Sequence, residues 1–132
     1  MPSTPIISVV DDDESVRLAL DSLLRSNGFT VHTYSSAEEF LASSGPQHTA
    51  CLISDIQMPG LSGIQMYEAL SLHGTTIPVI FITGLPGTPA LFSNYAVEPV
   101  AIFPKPFPCG QLIACVTSVL NSSIRKPPPC AT

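Results

Sequence analysis

The sequence predicts an α/β fold: a single doubly wound parallel sheet of five strands in the order 2-1-3-4-5, alternating with five helices. Three observations predict it. Five short apolar or β-branched runs are separated by stretches of helical periodicity, and parallel neighbours need such crossover connections. Polar residues follow directly on several of those runs. The central run, Ala50-Cys-Leu-Ile-Ser-Asp55, lies between the breakers Gly45-Pro46 and Pro59-Gly60, which suits a strand buried on both faces.

Taken in order, Ile6-Ile7-Ser8-Val9-Val10 reads as a β-branched strand that stops at the acid run Asp11-Asp12-Asp13-Glu14. Val16, Ala19, Leu20, Leu23 and Leu24 recur at helical spacing, and Asn27-Gly28 supplies the stop. Phe29 to Tyr34 alternates as a second strand would. Ser36 with Glu39 makes a capping box that opens a short helix through Phe40 and Leu41. After the central strand, Ser62 begins a helix bearing Ile64, Met66, Tyr67, Leu70 and Leu72, ended by His73-Gly74. Ile77 to Thr83 is a fourth strand, Ala90 to Ala96 a weak helix, Val100 to Phe103 a fifth strand and Pro108 to Asn121 a last helix. We expect one domain over 1–121 and a linker-like tail over 122–132, because Arg125-Lys126-Pro127-Pro128-Pro129 resembles the start of a linker.

Composition narrows the function classes. Charged residues make up 11% of the 132, well below the usual ~25%. None occurs from Ala69 to Val97 or from Pro106 to Ile124, so those surfaces rely on uncharged polar groups or on a partner. The net charge is −5 and the basic residues Arg17, Arg25, Lys105, Arg125 and Lys126 are scattered; direct nucleic-acid binding, which needs clustered Lys and Arg, is not expected. No apolar segment approaches the ~20 residues of a membrane span, and Met1-Pro2-Ser3-Thr4-Pro5 carries no basic n-region. Cys51, Cys109, Cys115 and Cys130 show neither a Cys-x-x-Cys pair nor a metal-site spacing. A cytoplasmic location is expected.

The chemistry gathers at strand ends. Asp11 and Asp12 follow the first strand, Asp55 ends the third, Thr83 ends the fourth and Lys105 follows the fifth. In this strand order the carboxyl ends converge at the switch point between strands 1 and 3, where open α/β sheets bind ligands. Carboxylates about 5 Å apart repel by roughly 3 kcal/mol at an effective dielectric near 20. A divalent cation relieves that, and a few hard oxygen ligands supplemented by water suit Mg²⁺. Lys105 adds a positive charge and Thr83 a hydroxyl for a further anion. Together they describe a pocket for a phosphoryl group on Asp55.

At this point Val10-Asp-Asp-Asp-Glu-Ser-Val-Arg17, Asp55-Ile-Gln-Met-Pro59, Ile82-Thr83-Gly84 and Lys105-Pro106-Phe107 resemble the receiver (CheY-like) domain of two-component response regulators, in its FixJ-type class. The resemblance spans residues 6 to about 120 and rests on four motifs in order. It implies a flavodoxin/CheY-like fold and a phosphoacceptor, Asp55, served by a sensor histidine kinase. It also implies Mg²⁺ bound by Asp12 directly, by Asp11 through water and by the Gln57 backbone carbonyl, besides Asp55. Thr83 becomes the switch hydroxyl and Lys105 the phosphate-contacting lysine, with a cis bond to Pro106. Such a domain is not itself an enzyme beyond slow autodephosphorylation. It controls an output such as transcription; the charge-free stretches lead us to expect a partner face on the fourth helix, fifth strand and fifth helix, available for a homodimer.

Three departures stand out. Ile102 occupies the place where the family pairs an aromatic ring with the threonine, and Phe103, one later, is expected on the other side of the sheet. Pro104 fixes φ just before the lysine. The Ala90–Ala96 segment lacks the family's usual charges. Rival readings exist for each residue. The acid run could be only a helix start, Asp55 a turn initiator, Thr83 an ordinary strand end and Lys105 a solvated lysine; His32, His48 and His73 read as surface residues. Two rival functions stand beside the phosphoacceptor. One is a receiver-like module that signals without phosphate. The other is a small Mg²⁺-dependent aspartyl-phosphate phosphohydrolase, disfavoured because Gln57 stands where such enzymes want an acid.

Overall fold

The computed structural model describes residues 5–58, 60–72, 74, 77–84, 100–105 and 108–124, with backbone alone at 122–124. Strands β1 (Ile6–Val10), β2 (Thr30–Tyr34), β3 (Thr49–Asp55), β4 (Val79–Thr83) and β5 (Ala101–Pro104) form one sheet in the order β2-β1-β3-β4-β5. Every neighbouring pair is parallel. The predicted topology is therefore the observed one.

Two cores follow from the two-residue period of the strands. Ile7, Val9, Val31, Cys51, Ile53, Ile80 and Ile82 face α1 (Glu14–Ser26) and α5 (Cys109–Ile124), meeting Leu20, Leu24, Leu112, Val116 and Val119. Val10, Leu52, Val79 and Phe81 face the other way, against Phe40 of α2 (Ala37–Ala42) and Ile64, Met66 and Leu70 of α4 (Gly63–Leu72). Leu52 and Ile53 are sequence neighbours in opposite cores. That is why the central strands read as continuous apolar runs. Each fully buried side chain of this size contributes about 1.5–3 kcal/mol of transfer free energy.

Local chemistry sets the helix ends. Asp13 caps α1, accepting from the Ser15 N–H at 2.9 Å, and Gly28 takes φ +87° beyond its end, a conformation that favours glycine. The Ser36 hydroxyl accepts from the Glu39 N–H at 3.0 Å as expected, but the Glu39 carboxylate returns to the Ser35 N–H at 2.7 Å. The box thus closes one residue earlier than the motif implies. A reciprocal box not read from the sequence opens α4: the Gln65 N–H donates to Ser62 Oγ at 3.1 Å and the Ser62 N–H to Gln65 Oε1 at 2.9 Å.

The structure differs from expectation in a few places. Gly45-Pro46, read as a turn, starts a one-turn helix, α3 (Gly45–His48); proline is tolerated in a first turn, where its missing N–H costs nothing. The strands read from Phe29, Ile77 and Val100 enter the ladder at Thr30, Val79 and Ala101. Leu72 is 86% exposed, beyond the reach of the core at the end of α4. The last helix runs three residues past Asn121, to Ile124. The expected helix over Ala90–Ala96, the Lys105–Pro106 bond and the tail from 125 lie outside the described residues.

Candidate functional site

The site is the rim formed by the carboxyl ends of β1, β3, β4 and β5. Asp55 closes β3 and Thr83 closes β4, both buried. Asp11 follows β1 and is buried, whereas Asp12 is exposed. The ladder sets Lys105: its N–H donates to the Thr83 carbonyl at 2.9 Å, which continues the β4–β5 pairing one residue beyond Pro104. Because N–H directions alternate along a strand, Pro104 has its nitrogen on the open side of an edge strand. There a missing donor costs little.

The Lys105 ammonium bridges two acids, with Nζ 2.9 Å from Asp55 Oδ2 and 3.3 Å from Asp11 Oδ2. Asp55 Oδ1 accepts from the Gln57 N–H at 3.1 Å, and Asp11 Oδ1 from the Asp13 N–H at 2.8 Å. Burial pushes the Asp11 carboxyl above its ordinary value and the Asp55 charge adds to this, against the Asp13 hydrogen bond and Lys105. Burial draws the Lys105 ammonium down, but its bond to Asp55 and the charges of both acids outweigh this and hold it above its ordinary value.

Oxygens of Asp11, Asp12 and Asp55 all lie within 4.8 Å of one another. Three hard donors this close, one reached from solvent, fit a small divalent cation that keeps part of its water. Two of them already share an ammonium, which shows that the cluster needs positive charge. Gln57 meets the cluster through its N–H, with its side chain exposed. Ile102, the register partner of Phe81, packs against the core on the α4 side of the sheet, and Phe103 packs against the α1–α5 core. The expected opposition of the two is observed.

Sequence reasoning missed several supporting residues. Gly63 begins α4 against β3; a Cβ there would overlap the Asp55 backbone oxygen and lie 3.0 Å from both the Phe81 ring and Ser54 Oγ. Ser54 Oγ donates to that same Asp55 oxygen at 2.8 Å. Glu38 of α2 accepts from the Leu61 N–H at 3.0 Å, tying down the loop after Asp55. Arg17 Nη1 donates to the Asp11 carbonyl at 2.7 Å. The one available signal was a glycine in the first turn of a helix, where a stronger helix former is normally favoured.

Comparisons with known proteins agree. Residues 7–117 match the family described as the response regulator receiver domain. The chain is 33% identical over 126 residues to the transcriptional regulatory protein FixJ of Azorhizobium caulinodans, covering 96% of this chain and 60% of that protein. It is 38% identical to nodulation protein W of Bradyrhizobium diazoefficiens, covering 92% and 53% respectively. Among solved structures, FixJ-N superposes with TM-score 0.77 at 32% identity, covering 92% of this chain and 96% of that one. A response regulator receiver protein from Burkholderia phymatum does so with TM-score 0.74 at 40% identity, covering 89% and 96%. The chain spans about half to three-fifths of the length of these curated relatives. Together the rim of acids, the bridging lysine, the strand order and these matches lead to one conclusion: the chain belongs to the response regulator receiver domain family of two-component signalling.

Proposed function

We propose that Asp55 is the phosphoacceptor. A sensor histidine kinase supplies the phosphoryl group: the bond from phosphorus to a kinase histidine nitrogen breaks, and one to an Asp55 carboxylate oxygen forms. The observation that carries this reading is the Lys105 ammonium lying 2.9 Å from Asp55 and 3.3 Å from Asp11. It stands ready to neutralise charge that arrives on Asp55. Asp12 directly, Asp11 through water and the Gln57 backbone carbonyl would hold Mg²⁺ together with Asp55. An ion held by these residues would supply neutralisation of the charge on the phosphoryl oxygens. Thr83, at the end of the neighbouring strand, offers its hydroxyl to the same group.

A phosphoryl group brings about −1.5 to −2 charge at neutral pH. Drawing Thr83 and Lys105 toward it strains the ends of β4 and β5. Turning a 1:99 equilibrium to 99:1 takes ~5.5 kcal/mol, which a few charge-assisted hydrogen bonds worth about 1.5–3 kcal/mol each can supply. The output face would lie around β5 and α5, which carries no charged residue from Cys109 to Ile124. It would pair with a second copy and control transcription in a longer, cytoplasmic protein. Among the described residues no helix is long and apolar enough to cross a membrane.

The test is labelling by acetyl phosphate with Mg²⁺, read by intact mass. The wild type gains one phosphoryl group and Asp55→Asn gains none. Label retained in Asp55→Asn relocates the acceptor. Light scattering with and without a phosphoryl mimic tests the pairing face; a strict monomer in both states removes that part.

A further inference from the structure

We propose that Arg17 is a positioning residue for the cation-binding acids, acting through the backbone of Asp11. Every polar atom of Asp11 has a partner. Its N–H donates to the Tyr34 carbonyl at 3.2 Å, Oδ1 accepts from the Asp13 N–H at 2.8 Å and Oδ2 lies 3.3 Å from Lys105 Nζ. The backbone oxygen accepts from Arg17 Nη1 at 2.7 Å. That last bond is the one that reaches back from α1, across six residues, to the turn after β1.

Its consequence falls on Asp12. Asp11 is held on all sides and Asp13 is held as the α1 cap, so the peptide units on either side of Asp12 are fixed and its exposed carboxylate is aimed at the cluster. Without the Arg17 bond, the Asp11 carbonyl is free to rotate, the adjoining peptide with it, and Asp12 loses its aim. Arg17 is not simply balanced by a neighbouring acid. Glu14 and Asp21 line the same shallow groove, with Leu18 and Thr33, and Glu39 feels its charge, yet its hydrogen bond goes to a neutral carbonyl.

Charge and position predict opposite signs here, which makes the idea testable. Removing a positive charge beside a cation site strengthens cation binding if charge alone matters. Removing a bond that aims a ligand weakens it. The inference rests on reading the Asp11, Asp12 and Asp55 cluster as a cation site, so the wild type is one arm of the experiment. Mg²⁺ alone is titrated into wild type, Arg17→Ala and Arg17→Lys, following the amide resonances of Asp11 to Asp13, with metal-free melting recorded for each.

We expect Arg17→Ala to bind Mg²⁺ about tenfold more weakly, the scale set by one charge-assisted hydrogen bond. Arg17→Lys keeps the charge and can still donate, but loses the planar fork, and falls between. Should Arg17→Ala not fold, the Lys variant carries the test through the same loss. Affinity equal to or tighter than wild type in the folded variants overturns the proposal. A wild type that binds no Mg²⁺ at millimolar concentrations overturns the underlying site reading, and that arm alone identifies this failure.

Discussion

Lys105→Met is the sharpest test of how the rim is held together without metal. The ammonium lies 2.9 and 3.3 Å from two carboxylates, and each attraction is worth roughly 5–6 kcal/mol gross at an effective dielectric near 20. Desolvation takes back most of that. What remains on deletion is the cost of leaving Asp11 and Asp55, with side chains 2% and 9% exposed, uncompensated. At 4.8 Å or less they repel by about 3.5 kcal/mol or more on the same scale, and losing one partner of a buried pair typically costs about 3–5 kcal/mol. The Lys105 side chain is 25% exposed, so solvent screening lowers the figure; we expect about 2–3 kcal/mol. For a domain of this size that is a fall in Tm of about 10 °C. The assay is thermal unfolding at neutral pH in EDTA, then in excess Mg²⁺. Mg²⁺ should stabilise the variant more than wild type and narrow the gap, and adding Asp55→Asn should recover much of the loss in EDTA. Equal melting of variant and wild type in EDTA, or a gap unchanged by Mg²⁺, refutes the reasoning.

Other expectations follow from single contacts. Gly63→Ala places a methyl against the Asp55 backbone oxygen and the Phe81 ring; we expect a loss of about 1–2 kcal/mol in urea denaturation and slower labelling by acetyl phosphate, whereas unchanged labelling would show that α4 yields. Glu38→Ala frees the Leu61 N–H, an exposed contact, so stability should move by less than about 1 kcal/mol, while hydrogen exchange at Leu61 should accelerate. Burial pushes the Cys51 thiol up to about 12, with Cys115 adding to it. The folded state then keeps the thiol protonated where the unfolded chain has begun to ionise. Its contribution is full below the ordinary value of 9.0 and is lost as pH rises toward 12. The stability of Cys51→Ala should therefore fall less steeply than that of wild type above pH 9, and a thiol reagent at pH 8 should modify exposed Cys109 and spare Cys51.

Much of the architecture was legible in the sequence because it depends on local patterns. Runs such as Ile6–Val10 and Val79–Thr83 declare buried strands by being apolar except at Ser8 and Thr83, and the Ser36 cap lies within a few residues of the group it satisfies. The alternation of strands with helices implied a parallel sheet, and the resemblance to the receiver family selected the order 2-1-3-4-5 among the doubly wound ones. What slipped was set by small energetic margins. Gly45-Pro46 serves equally as a turn or as a first helical turn, and only packing against Tyr34 and Phe40 decides between them. Glu39 had two serine N–H groups in reach, and the sequence could not choose.

The chain's residue order was enough to name the acids, the hydroxyl and the lysine, because strand ends of a doubly wound sheet must meet at one rim. Tertiary structure alone decided how they meet. Lys105 bridges Asp55 and Asp11, 50 residues apart in one case, because the β4–β5 ladder extends through its N–H. Gly63, Glu38 and Arg17 joined the site for the same reason. Each acts on a backbone group, and which backbone group a side chain reaches depends on how helices settle on a sheet, information that periodicity and composition do not contain.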